Sequence, residues 1–404
     1  MNVNNNIILH GNTRLVIDGD LKLQEAKDDI ASIKVFEKFS EGRHCEHIPR
    51  ITTRICGTCS VPHHLTATKA LEDAWDVVIP PAALKLRKLM MNAQQYAFHT
   101  MQFYSIAAPD FLGLTYGDPT IKASIQILNK IPDIGKIALE MADFGQNLAG
   151  KIGGKPVHPI SSIVGGIKKP LTEFDRDSFL KQIDRQMELT QQTLEKGLEG
   201  VEDNWKIIEK VGVLQTHYLG MSNKGVHNIY EGKLRVLSPE GEKTDYNNAK
   251  YKEILVKNKP NGGYRSNSLA MINVVDKMGT KLADGALNAF REKTGTISHH
   301  LFGLQWARLI EMLSAIERVK SLLEDPDICN PDCKTLDIKP EEGNGIGITE
   351  TTRGLLLYHI WSDEDGMCKK LNILNNSSIN FEDTEKSLKF VMNQIEKEKI
   401  LKKL

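Results

Sequence analysis

Two thiols, two imidazoles and two arginines fall within one short segment, Arg50-Ile51-Thr52-Thr53-Arg54-Ile55-Cys56-Gly57-Thr58-Cys59-Ser60-Val61-Pro62-His63-His64. The Cys-x-x-Cys spacing lets two sulfurs converge on one metal, and the glycine between them permits a tight backbone turn. Nearby arginines favour the thiolate, which is the form of cysteine that binds metals. Residues 65–74 follow at once with a helical pattern. The segment therefore predicts a metal site with Cys56 and Cys59 as ligands, and with His63 near the start of a helix.

The bulk composition excludes several classes of protein. The 404 residues contain 52 Lys plus Arg and 52 Asp plus Glu, so a zero net charge gives no reason to expect nucleic acid or an anionic membrane as a partner. No apolar run approaches the roughly 20 residues that cross a bilayer. The first residues lack the features of a signal peptide, and six cysteines in a chain this long do not make a disulfide scaffold. We expect a cytoplasmic protein.

The apolar pattern predicts an α+β fold that is mainly α, a bundle of long helices with peripheral β hairpins. Long helices are predicted from Pro81 onward, over residues 172–210 and 299–324, and a last helix over 384–395. Residues 7–39, which include the run Ile33-Lys34-Val35-Phe36, read as β structure, and residues 355–374 read as a hairpin.

We predict one domain over residues 1–404, with four regions in chain order. Residues 1–45 form an N-terminal β region, and residues 46–210 hold the metal segment and bundle helices. Residues 211–268 form a β and turn insertion on the outside. Residues 269–404 carry a bundle helix, the segment around Arg353, the hairpin and the last helix.

The fuller form of the thiol motif, Arg-x-Cys-Gly-x-Cys-x-x-x-His, resembles the N-terminal metal signature of [NiFe]-hydrogenase large subunits. The resemblance spans nearly the whole chain, and it is strongest to the methyl-viologen-type, deazaflavin-non-reducing group of methanogens. Other segments that resemble this group are Phe36-Glu37-Lys38-Phe39, Ala107-Ala108-Pro109-Asp110-Phe111, Asp276-Lys277-Met278-Gly279-Thr280 and Trp306-Ala307-Arg308-Leu309-Ile310-Glu311. A hydrogenase large-subunit-like fold is therefore expected.

The resemblance also implies a site and a reaction. In that family four cysteines hold nickel and iron, the iron carries carbonyl and cyanide ligands, and dihydrogen is oxidised. Cys56 and Cys59 match the N-terminal pair, and His63 matches a donor near the bridging sulfur. Arg353 matches an arginine above the nickel, and Asp110 matches its carboxylate neighbour. The expected partners are a small iron–sulfur subunit, an iron–sulfur adaptor and a heterodisulfide reductase.

The chain departs from the family pattern at two places that matter. The family's glutamate that passes protons from the nickel thiolate is replaced by His10, which we expect to take the relay role. The family's C-terminal Asp-Pro-Cys-x-x-Cys has no counterpart after Cys368, and the pair Cys329 and Cys333 has the wrong spacing. Two thiolates cannot satisfy a two-metal site that shares four.

Three explanations of this gap stay open. A separate short polypeptide can supply the second pair of cysteines or selenocysteines, and the chain is then part of a hydrogenase. Alternatively, the subunit has lost its centre and survives as a scaffold in an electron-transfer complex. In the third, Cys45, Cys56 and Cys59 bind a structural zinc ion with His63 or His64. Whether the chain belongs to an enzyme depends on which explanation holds.

Overall fold

The computed structural model describes residues 6–10, 13–17, 23–28, 31–107 and 132–398, with side chains over 33–107 and 133–394. Its helices are α1 (Ala31–Ser40), α2 (Ile48–Thr52), α3 (Ser60–Ala74), α4 (Pro81–Gln102), α5 (Pro132–Gly153), α6 (Glu173–Asp203), α7 (Trp205–Ile208), α8 (Ser268–Val274), α9 (Lys281–Thr294), α10 (Gly303–Glu324) and α11 (Asn376–Glu398). Its strands are β1 (Asn6–His10), β2 (Thr13–Ile17), β3 (Leu23–Asp28), β4 (Ser162–Ile163), β5 (Gly166–Ile167), β6 (His217–Ser222), β7 (Lys233–Leu237), β8 (Lys243–Tyr246), β9 (Tyr264–Arg265), β10 (Gly343–Thr351), β11 (Gly354–Ser362) and β12 (Cys368–Leu374).

Long helices form the main core, as the sequence predicts. Helix α4 begins at Pro81, where a proline costs no hydrogen bond, and it packs between α5 and α10. Its apolar residues recur at helical spacing and are buried with residues of both neighbours: Leu86, Leu89, Met90, Tyr96, Met141, Phe144, Leu309 and Leu313. In α5, Gly145 lies directly against the Ala93 carbonyl oxygen, so the absence of a side chain lets α4 and α5 approach closely.

The described strands form small sheets. Strands β10, β11 and β12 are antiparallel neighbours in that order, and β1, β2 and β3 form a similar meander. A four-stranded sheet has the order β8-β7-β6-β9, with β9 parallel to β6, and β4 pairs with β5 in a two-stranded sheet. Tyr218, Leu219 and Met221 of β6 are fully buried, and β6 packs against α8 and β11. Strand β6, within the region 211–268 that is predicted to lie on the outside, is therefore part of the interior.

The run Ile33–Phe36 is predicted as a strand, but it lies in helix α1. Ile33, Glu37 and Ser40 are buried, whereas Val35 is 65% exposed, so burial follows a helical period of three to four residues. The Glu37 carboxylate accepts the backbone N–H of Ile373 at 2.8 Å and so joins α1 to β12. The four-region division of the chain stays a prediction.

The contact between β10 and α3 determines where the candidate site forms. A side chain at Gly345 or Gly347 would collide with the carbonyl oxygen of Ala70 or Thr66, so these glycines let the strand lie directly on the helix. The strand runs toward the helix N-terminus, where Thr349 and Thr66 join their hydroxyls at 2.6 Å. The turn after β10 therefore arrives beside Cys59. None of the described helices is long and apolar enough to span a membrane.

Candidate metal centre

The two predicted cysteine ligands lie side by side where a turn becomes helix α3. Cys56 has an extended backbone, with φ −150° and ψ 124°, and Cys59 occupies the position just before α3, where its carbonyl accepts the His63 N–H at 3.0 Å. Their Sγ atoms are 2.9 Å apart. The Thr58 hydroxyl lies 3.2 Å from the Cys56 sulfur. The structure thus brings both thiols together, with Cys59 buried and Cys56 half-buried.

Arg353 reaches this point from the turn between β10 and β11. Its Nη2 donates to the Cys59 sulfur at 2.9 Å and to the Cys56 sulfur at 3.1 Å. The turn depends on Gly354, whose φ is +124° and which lies directly against the Ser266 carbonyl oxygen, so no side chain fits there. The predicted contact of Arg353 with the cysteine pair is present in the structure. The spacing of the motifs alone does not require this contact.

The neighbours of the sulfurs favour one thiolate. The hydrogen bond from Cys59 lowers the pKa of Cys56 to about 4, and the Arg353 charge adds to it against the opposing effect of burial. The same hydrogen bond and burial raise the pKa of Cys59. The pair therefore holds one proton and one negative charge, and that charge is balanced by the guanidinium. A thiolate is the form that binds a metal.

The two histidines of the segment have defined partners. Burial lowers the pKa of His63 to about 4, and its Nδ1 lies 2.6 Å from the Tyr358 hydroxyl of β11. His64 Nδ1 donates to the Pro49 carbonyl at 2.8 Å, and its Nε2 accepts the Ser162 N–H at 3.1 Å. His64 is thus a structural residue that joins α3 to α2 and to the β4 strand. His63 lies next to the pair, as the sequence predicts.

Two predicted site residues are not placed by their side chains. His10 ends strand β1, where it pairs with Thr13, and its side chain lies outside the described residues. Asp110 lies wholly outside them. Sequence reasoning also missed residues at the site, namely Thr58, Tyr358 and Glu350. The position of Glu350, three residues before Arg353, was an available signal.

The zinc explanation is wrong. Cys45 is fully buried and hydrogen-bonds Cys368 rather than the Cys56 and Cys59 pair. His64 uses both ring nitrogens in hydrogen bonds. Over residues 33–107 and 133–394, no group of three or more His, Cys, Asp or Glu side chains is arranged to hold a metal. A tetrahedral zinc site needs four ligands, and these side chains do not provide them.

Known proteins with similar sequences and structures place the chain in a family. A sequence model of nickel-dependent hydrogenases matches residues 34–133. The vhu-type F420-non-reducing hydrogenase subunit of Methanocaldococcus jannaschii is 37% identical over 396 residues, which cover 94% of each chain. The chain belongs to the nickel-dependent hydrogenase family. The vhc-type F420-non-reducing hydrogenase subunit of Methanococcus voltae is a further relative, 33% identical over 90% of this chain and 81% of its own length.

Solved hydrogenase structures share the fold. A NAD⁺-reducing [NiFe]-hydrogenase in the H₂-reduced state superposes with a TM-score of 0.86 and 26% identity, over 94% of this chain and 90% of its own. The Ni-Fe-Se hydrogenase of Desulfovibrio vulgaris Hildenborough has a TM-score of 0.72 at 20% identity, over 94% of this chain and 90% of its own, which supports the fold alone. The expected hydrogenase large-subunit fold, α+β and mainly α, is confirmed.

The donor set suits half of a nickel–iron site. Two adjacent sulfurs, one of them ionised, offer the soft ligands that nickel and iron prefer. Cys56 is only half-buried, so the sulfurs are open to ligands from another chain. The guanidinium against both sulfurs adds a fixed positive charge and no metal ligand. The described residues therefore fit a nickel–iron centre only when further thiolates complete it.

Proposed function

We propose that the chain is the large subunit of a hydrogenase that converts dihydrogen into protons and electrons, with Cys56 and Cys59 as two of four thiolate ligands. The observation that carries the proposal is the convergence of both sulfurs with the Arg353 guanidinium at 2.9 and 3.1 Å. When bound, a nickel–iron centre would accept the hydride of dihydrogen, which carries both of its electrons. By resemblance to the family, its iron carries carbonyl and cyanide ligands.

The protein's own side chains then have separate tasks. Arg353 holds both sulfurs in place and stabilises their negative charge, since a guanidinium keeps its proton in proteins. His63 is neutral and buried, and its hydrogen bond with Tyr358 fixes the ring beside the cysteine turn. His10 as a proton relay and Asp110 as the neighbour of Arg353 remain predictions from the family pattern.

We infer that the missing pair of thiols or selenols comes from a separate short polypeptide. Two thiolates are too few for two metals, and Cys45 and Cys368 are held by each other. Cys333 is buried against the Ile167 carbonyl oxygen. The chain also covers 94% of the length of both vhu-type relatives, which is consistent with an arrangement shared with that group.

The electrons need a path out through another polypeptide. Six cysteines in 404 residues are too few for a row of iron–sulfur clusters beside the centre. We therefore propose that the direct partner is a small iron–sulfur subunit, with an adaptor and a heterodisulfide reductase beyond it, in the cytoplasm. A relative from Archaeoglobus profundus, 27% identical, is named as an iron–sulfur subunit of an F420-non-reducing hydrogenase.

The competing function is a scaffold that has lost its centre, and the incomplete ligand set of the described residues favours it. Nickel analysis and dihydrogen-dependent viologen reduction by the purified complex distinguish the two. We expect nickel and activity in the native complex, and both should be lost in Cys59→Ser. The matched variant Cys45→Ser, which changes a buried thiol away from the site, should keep both. A native complex free of nickel, with intact assembly of the Cys59→Ser variant, would leave the scaffold function.

A further inference from the structure

A buried carboxyl lies close to the cysteine pair and has an unused oxygen. Glu350, near the end of β10, is 2% exposed. Its Oε1 accepts the backbone N–H of Met221 at 2.8 Å, whereas its Oε2 has no hydrogen-bond partner among the described residues. Buried polar atoms in native proteins are almost always satisfied, so Oε2 requires a partner such as an ordered water.

A cavity at this place has room for one water molecule. Its volume is about 10 Å³, close to the smallest that holds a water. Its lining includes Thr58 of the cysteine turn, Gln94 and Gln95 of α4, Glu350, and Thr351. Thr58 therefore joins the cavity to the Cys56 sulfur, which its hydroxyl contacts at 3.2 Å.

Counting hydrogen bonds around this cavity indicates that Glu350 carries a proton. The oxygens Gln94 Oε1, Gln95 Oε1 and Glu350 Oε2 are all buried without a partner among the described residues. One water can donate only two hydrogen bonds, so three acceptor oxygens leave one unsatisfied. A proton on Glu350 Oε2 removes the deficit, because Glu350 then donates to the water and the water donates to both amides.

The charges around Glu350 act in the same direction. Burial raises the pKa of Glu350 well above its ordinary range, and the negative charge of Glu311 adds to the effect. Burial alone would also raise the pKa of Glu311, but the hydrogen bond with His227 and the nearby His99 imidazole, each at 3.2 Å, outweigh it and lower that pKa to about 2. One buried carboxyl is therefore ionised and the other neutral.

We propose that Glu350 is the buried acid that exchanges a proton with the cysteine site, through the Thr58 hydroxyl and the cavity water. This proposal rests on the proposed hydrogenase function. The step moves a proton only. In the direction of dihydrogen formation the O–H bond at Oε2 breaks and an O–H bond forms on the water, which turns one O–H from an amide oxygen to the Thr58 oxygen and gives up that proton. Thr58 then releases its own hydroxyl proton to the Cys56 sulfur. Each transfer reverses when dihydrogen is oxidised, and no electron moves along this path.

The test compares Glu350→Gln, Thr58→Val and the exposed control Glu341→Gln in the complete complex. Glu350→Gln keeps a polar group of the same shape but no exchangeable acid, and we expect viologen reduction to fall about 100-fold, as on loss of a general acid. Thr58→Val should fall similarly, Glu350→Asp should stay within about tenfold of the native rate, and Glu341→Gln should be unchanged. Nickel content and the carbonyl and cyanide infrared bands should be native in all four.

A second readout does not depend on the metals. Infrared difference spectra of the metal-free chain in H₂O and D₂O at neutral pH should show a protonated carboxyl band that Glu350→Gln removes. Absence of that band from the native chain, or native turnover in Glu350→Gln with nickel retained, overturns the proposal. Loss of nickel from Glu350→Gln also overturns it, since the role is then structural. A native complex without nickel contradicts the proposed function instead, and the metal-free spectrum still tests the acid.

Discussion

The molecule contains two pairs of neighbouring cysteines in different surroundings. Cys56 and Cys59 lie in a turn at the edge of the chain, against the Arg353 guanidinium. Cys45 and Cys368 lie in the interior, where Cys45 donates its N–H to Gly366 and Cys368 donates its N–H to Arg43, each at 2.8 Å. Each pair is joined by a hydrogen bond between its thiols.

A cation and partial exposure account for the difference. In each pair the hydrogen bond between the thiols lowers the pKa of one cysteine, Cys56 or Cys368, and raises the pKa of the other, Cys59 or Cys45. Only Cys56 is half-buried, and only its pair has a guanidinium against both sulfurs. The Arg43 side chain stacks on the Phe39 ring and donates to the Phe39 carbonyl. It therefore places no positive charge against the inner pair, Cys45 and Cys368. The first pair is suited to bind a metal, and the second is an inert part of a hydrophobic cluster.

Removal of the Arg353 guanidinium should have the largest effect on the difference between the two cysteine pairs. We expect Arg353→Gln to lower dihydrogen turnover by about 100-fold or more, as on loss of one preorganised charged donor at a reaction centre. In the metal-free chain, the pH at which Cys56 reacts with iodoacetamide should rise, because the guanidinium no longer stabilises the thiolate.

The matched control is Arg43→Gln, which alters the arginine beside the inner pair. Its turnover and its alkylation profile should both equal those of the native chain. If Arg353→Gln leaves the alkylation profile of Cys56 unchanged, or Arg43→Gln shifts it equally, the cation does not distinguish the two pairs.

The segment that carries Cys56 and Cys59 should also make the stability of the protein sensitive to acid, through His64. His64 is buried with Nε2 as an acceptor from Ser162, and burial lowers its pKa to about 4. At pH values above 6.5 both folded and unfolded states hold a neutral imidazole. Below that value the unfolded state takes up a proton that the folded state refuses until about pH 4, so the free energy of unfolding falls as the pH falls.

The expected slope from this residue is about 1.4 kcal/mol per pH unit between about pH 6 and 4.5. Denaturant unfolding of native protein and of His64→Gln at several pH values measures it, and the variant should show a shallower slope. His47→Gln, which removes an exposed histidine just before α2, is the control. Equal slopes in all three proteins would show that His64 is not responsible.

Substitutions in the inner pair, Cys45 and Cys368, should lower the stability of the protein and leave its activity unchanged. This is the smallest of the expected effects. Cys45 is fully buried, so Cys45→Ala leaves a small cavity, and we expect a loss of about 1 kcal/mol in the free energy of unfolding. Cys56→Ala should cost less, since Cys56 is only half-buried. Thermal unfolding of both variants checks this, and a larger loss from Cys56→Ala would reverse the assignment of structural and functional pairs.

The sequence predicted the cysteine pair, Arg353 and the long helices, because local motifs and helical periodicity carry that information. It did not predict β10, whose glycines at positions 343, 345 and 347 look unlike a strand until α3 is seen lying on them. The partnership of Cys45 with Cys368 and the cavity beside Glu350 join residues that are about 300 positions apart. Short motifs do not encode such contacts.

The central claim is that this chain provides half of a nickel–iron site and that another polypeptide completes it. The most direct test measures nickel and the infrared carbonyl and cyanide bands in complexes assembled with and without a short partner carrying two thiols or selenols. We predict both signals with that partner and neither without it. Both signals in a complex of this chain with partners that lack such a pair would contradict the account.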